Sequence, residues 1–172
     1  MPIDWNLFEN KITNYLIGRS AKSEDDLAKY IADTYDQTVM FGLNQYNEGI
    51  LTTKKDILET FIVLALKEAK GGKNLIEVSK RFSTGVLLYW RSATMKIDIP
   101  PPGAVSVITN VITSPGVPFT FQIYNTTDPK VLAKSMTSVF KIHAFTIQGI
   151  TTAMVPIGTS LVPTPFPWIG IK

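Results

Sequence analysis

The sequence predicts a mainly α protein: a four-helix N-terminal bundle over residues 1–98, followed by an extended Pro-rich segment, 99–172, that carries a short β-hairpin, a fifth helix and a C-terminal arm. Three observations carry that expectation. Apolar residues before Ser92 recur at three- and four-residue spacing in four capped stretches. Ten of the 11 prolines lie from Pro100 onward. Charge also vanishes there: beyond Asp98 the charged residues are Asp128, Lys130, Lys134, Lys141 and Lys172.

The first helix opens at Asp4, a good N-cap, and runs through Trp5, Phe8, Ile12 and Tyr15–Leu16 to Gly18. The second opens at Ser23, with Asp26 three residues on and Glu24–Asp25 favoured by the helix dipole. Its apolar face is Leu27, Ile31, Tyr35 and Val39, and Gly42 marks its end. A turn through Asn44, Asn47 and Gly49 leads to Thr53, which with Asp56 reads as the cap of the third helix. That helix is apolar around much of its circumference, as a central helix is, and stops at Gly71–Gly72 after Lys67 and Lys70. Asn74 caps a fourth, through Leu75, Val78, Phe82, Val86 and Tyr89.

Pro100-Pro101-Pro102 then forbids helix. The β-branched run Val105–Thr113 reads as a strand, although Ala104, Ile108 and Val111–Ile112 also fit helical spacing. Ser114-Pro115-Gly116 has type II turn chemistry, and Phe119, Phe121 and Ile123 alternate with polar residues, which places a hairpin within 105–124. Asp128–Pro129 starts a fifth helix predicted over about 129–152, and the remainder, 153–172, reads as an extended arm.

At 45% hydrophobic residues the chain has the means to form a core. A net charge of +3, from 17 bases and 14 acids, provides no one-signed field for nucleic acid. The mixed signs along Lys67, Lys70, Lys73, Lys80 and Arg81, with Glu68 and Glu77 between them, read as a solvated face. Cysteine is absent, so disulfides and thiolate sites are excluded. Met1-Pro2-Ile3-Asp4-Trp5 has neither the basic region nor the apolar run of a signal peptide. Ala144–Val162 is free of charge, but its Thr, Ser, Gln, Gly and Pro argue against a membrane span.

No motif anchors an enzyme. His143 is the only histidine and has neither cysteine nor carboxylate nearby in sequence. Gly71-Gly72-Lys73-Asn74 lacks the frame of a phosphate loop, and Glu24-Asp25-Asp26 is explained by capping. Asn125-Thr126-Thr127 matches a glycosylation sequon, a three-residue pattern of high chance rate. No catalytic, cofactor or metal residue is therefore assigned.

What the C-terminal half does offer is contact surface. Its scarcity of charge is unlike a free surface, and prolines lower the entropy lost on docking. Candidate interface residues are Trp90, Pro100, Pro101, Pro102, Phe119, Phe121, Phe140, Phe166 and Trp168, with the last two as anchors of an arm lying on a neighbour or back on its own bundle.

Three phrases add a resemblance: Tyr89-Trp90-Arg91-Ser92-Ala93-Thr94-Met95, Ile99-Pro100-Pro101-Pro102-Gly103-Ala104, and Thr113-Ser114-Pro115-Gly116-Val117-Pro118. Together with Pro163-Thr164-Pro165-Phe166-Pro167-Trp168, they resemble small virion structural proteins of tailed bacteriophages. The resemblance covers residue 85 to the end and implies a non-enzymatic virion subunit, assembled in the host cytoplasm. The expected role is a multimeric neck or tail component, for tail completion or as an adaptor; the alternative is a capsid decoration or minor capsid protein bound to a preformed lattice. The expected partners are other virion proteins and further copies of the chain, with no small-molecule substrate, nucleic acid, membrane or cofactor.

Overall fold

α1 (Trp5–Ile17) begins where the Asp4 carboxylate accepts the Leu7 amide at 2.9 Å, and it buries Trp5, Phe8 and Ile12 on one face. The structure, a computed structural model, describes residues 3–18, 22–96, 105–110 and 128–172. α2 (Glu24–Val39) starts at Ser23, whose hydroxyl accepts the Asp26 amide, and buries Ile31, Tyr35 and Val39. α3 (Lys55–Lys70) runs back along it, so the acidic start of α2 meets the basic end of α3. Lys67 pairs with Asp25 at 3.0 Å and Lys70 with Glu24 at 2.5 Å. These pairs are exposed and fix orientation more than they stabilise.

α4 (Leu75–Arg91) is capped by Asn74 and returns against α3. The two helices approach closely at Gly85, where a Cβ would fall 2.5 Å from Phe61 Cβ. β1 (Gly49–Thr52) and β2 (Thr94–Lys96) pair antiparallel, so a two-stranded ribbon ties the chain before α3 to the chain after α4.

β3 (Val105–Asn110), α5 (Pro129–Thr146), β4 (Gln148–Ile157) and β5 (Ser160–Ile169) complete the fold, with β3, β4 and β5 forming an antiparallel sheet in that order. α5 lies against α1 and sends Phe140 into the aromatic centre of the core. There it stacks on Tyr35 at 4.1 Å and meets Phe8 and Phe82 edge-on at 5.7 and 5.4 Å. Tyr35 also accepts the Trp90 indole N–H at 3.0 Å. One apolar core extends from Ile3 to Ile171, and the compositional change near Ile99 is not a boundary in the packing.

The structure overturns the expected fold class. The N-terminal half is not a free-standing four-helix bundle, because β1 and β2 interrupt the helices and α5 supplies part of the helical core. Thr53 does not cap α3; its hydroxyl bonds Asp36, and Lys54 stands at the cap without a side-chain bond. The fifth helix ends at Thr146 rather than 152, since Ile147 turns extended and the β-branched run beyond it enters β4. Residues 105–110 are strand, as one of the two readings had it, but their partner is β4. Residues 111–127, including the other proposed strand, lie outside the described residues.

The arm predicted over 153–172 is instead the second half of a hairpin. The physical reason is the spacing of its prolines. Pro163, Pro165 and Pro167 lie opposite Met154, Thr152 and Ile150, all at the same phase of an antiparallel ladder. Alternate residues of an edge strand direct their backbone groups away from the sheet. The Pro167 carbonyl does point outward, where it accepts bonds from Gln45 Nε2 and the Tyr46 hydroxyl, both at 3.0 Å. All three prolines therefore occupy positions where the ladder needs no donor.

Candidate functional site

The hairpin is anchored at its base by a buried polar cluster. In the turn before β1, the Asn44 side-chain oxygen accepts the amides of Tyr46 and Glu48, and this geometry aims the Glu48 side chain inward. Glu48 Oε2 then accepts three bonds: from Asn44 Nδ2 at 2.5 Å, Thr151 Oγ1 at 2.7 Å and Ser106 Oγ at 2.8 Å. Ser106 and Thr151 are cross-strand partners on β3 and β4, which is why both hydroxyls reach one oxygen. Ser106 Oγ in turn accepts the Trp168 indole N–H at 3.2 Å. Buried polar groups need such partners, and here the β1 turn and all three strands supply them to one another.

Backbone contacts close the base. Gly170, at φ 76°, donates to Ile147 O at 2.8 Å and passes so near Phe145 that a Cβ would sit 2.6 Å from its carbonyl oxygen. Ile171 donates to Ala144 O, and Lys172 exchanges a pair of 2.9 Å backbone bonds with Leu43.

Away from this base the hairpin emerges from the body. Among the described residues β3 pairs with β4 as far as Thr152, and beyond it β4 and β5 pair with each other up to a turn at Gly158, φ 64°. Ile157, Leu161, Val162 and Phe166 are exposed on it, and no residue from Ala144 to Ile171 is charged.

The candidate interface residues separate into groups. Trp90, Phe140 and Trp168 are buried in the chain's own core, so they build the fold rather than meet a partner. Phe166 is 37% exposed, with the Tyr46 ring edge-on at 6.4 Å. Pro100, Pro101, Pro102, Phe119 and Phe121 lie outside the described residues. Sequence reasoning missed Glu48, Ser106 and Thr151, whose partners are 58 and 103 residues from Glu48; only the Asn44–Gly49 turn signal hinted at the place.

Among the described residues no cluster of His, Cys, Asp or Glu is arranged to hold a metal ion, and no helix is long and apolar enough to cross a membrane. His143 is fully buried on α5. Two shallow recesses of about 370 Å³ each open on the surface, one between the Leu43–Asn47 turn and the C-terminus, the other beside the stacked Tyr15 and Tyr30 rings. The first is lined by Leu43, Asn44, Gln45, Asn47 and the C-terminal residues, the second by Lys22, Lys29, Asp26 and Asp33 around the two rings. No protein-family model matches this chain, no curated protein matches it, and no solved structure matches it.

Proposed function

We propose that the chain is a non-enzymatic structural subunit of a tailed-phage particle, a neck or tail component that meets its neighbours through the C-terminal sheet. The observation that supports this reading best is the emergent hairpin. Its base is locked to the body through Glu48 and Trp168, while its outer part exposes apolar side chains along a stretch without charge. Exposed apolar side chains such as Ile157 and Leu161 on an uncharged ribbon favour association that covers them. The phage context rests on the resemblance of the Tyr89–Met95, Ile99–Ala104, Thr113–Pro118 and Pro163–Trp168 phrases. Because Trp168 is committed to its own core, contact with a neighbour is made by the hairpin's surface rather than by an exchanged arm.

The test is composition and incorporation. Particles purified on density gradients from cells making the protein should contain the chain at a fixed copy number. A Leu161→Glu variant, changed at an exposed position, should fold and be depleted from them. Particles that lack the wild-type chain overturn the reading.

A further inference from the structure

The two sides of the β3–β4–β5 sheet differ. Ser106, Gly149, Thr151 and Trp168 share the side that faces the helices and are buried. Register places the alternate residues on the opposite side, where Val107, Ile150 and Pro167 form one row and Met154–Pro163 and Pro156–Leu161 continue it. Val107, Leu161 and Ile169 are 47%, 56% and 58% exposed, and Pro156, Pro163, Pro165 and Pro167 are exposed as well. None of these residues is charged.

We propose that this outer side packs face to face on the same side of a second copy of the chain. In a two-fold contact each group meets a surface identical to its own, so a charge near the axis would face its like. A sheet face with no charge of either sign suits that symmetry, whereas a different partner is selected by complementary charges. The edges point the same way. Pro163, Pro165 and Pro167 withhold outward donors along the middle of β5, and Pro156 does so on β4, which disfavours strand addition there and leaves the face. Ten-residue strands of about 33 Å, in a sheet two to three strands wide, give a face of roughly 400 Å² in plan. At roughly 800 Å² for the two faces together, the contact belongs to the weak, transient class of interface. Two such sheets would stack about 10 Å apart.

The pairing takes its biological use from the subunit reading above, but its test needs only the purified chain. Sedimentation up to about 100 µM should show a monomer–dimer equilibrium, and Leu161→Glu and Ile169→Glu should each raise the dissociation constant at least about tenfold with the far-UV spectrum unchanged. The absence of cysteine permits a second measurement. Thr152→Cys, on the outer face, should be joined into dimers by a short bis-maleimide, while Lys29→Cys, on exposed α2, should not. A chain that stays monomeric, a dimer indifferent to both Glu substitutions, or preferential cross-linking at position 29 overturns the pairing. A monomer that still enters particles overturns the pairing alone; a dimer missing from particles overturns the subunit reading alone.

Discussion

Gly149 lies directly beneath the Trp168 indole, its cross-strand partner, and a side chain at 149 would occupy the space that the ring fills. The ring cannot withdraw freely, because its N–H is bonded to Ser106. Gly149→Val should therefore destabilise the protein by about 2–3 kcal/mol, through overpacking that either displaces the indole or bends β4. Denaturant unfolding followed by tryptophan fluorescence measures the loss. Unchanged stability would mean that the ring has somewhere else to go.

Glu48 holds three donors on one oxygen, so the replacements at this position separate acceptor from volume. Glu48→Ala strands the Ser106, Thr151 and Asn44 donors and should cost about 2–4 kcal/mol. Glu48→Gln keeps a carbonyl oxygen for them and should cost about 1 kcal/mol. Hydrogen exchange at the Gly170 and Ile171 amides should accelerate in the Ala variant before global unfolding, since those bonds close the same base. Equal losses in both variants would show that the oxygen's bonds are not what holds the hairpin.

How much of this was legible in the sequence follows the range of each interaction. Asp4, Ser23, Asn74 and Asp128 cap their helices as read, because each partner is only two or three residues away. Thr53 misled, because its partner Asp36 is 17 residues back and nothing local competes with it. Residues 148–152 passed as helix because Ile147 continues the spacing of His143 and Phe140, although Gly149 and the β-branched residues beyond suit a strand. The prolines of β5 make 153–172 read as an extended arm; what matters is that they are two residues apart, a relation whose meaning depends on the strand they face. The Glu48 cluster was the least legible part, since its partners come from three separate stretches of chain.

Burial raises the phenol pKa values of Tyr35 and Tyr89 above their ordinary range, with nearby Asp36 adding to the shift at both. A raised folded-state value means that the contribution to stability is complete below the unfolded value of about 10 and is lost as pH rises beyond it. The protein should therefore lose stability above about pH 10, and the absorbance of ionised tyrosine should rise in two stages, the second coinciding with unfolding. Tyr89→Phe should remove part of that alkaline dependence, at the expense of the 2.8 Å bond its hydroxyl donates to Asp36. Smooth titration of every tyrosine in the folded state would contradict the burial of the pair.

The prolines of β5 give the sharpest separation of face from edge. Replacing Pro163 and Pro165 with threonine restores two outward N–H groups to an exposed strand and adds β propensity, without touching the ladder to β4. Each copy would then offer a donor-bearing β5 edge, and pairing of that edge with the opposite edge of another copy's sheet is a head-to-tail contact that does not close. The double variant should keep its far-UV spectrum at low concentration and show light scattering and thioflavin binding as concentration rises, where the wild type shows neither. Pro163→Thr alone should lie between them. Lys at the same two positions supplies the donors together with like charges and should suppress the growth, which would identify edge pairing rather than lost stability as its cause. If the threonine variant remains as soluble as the wild type, the outward backbone of β5 is covered by something other than its prolines.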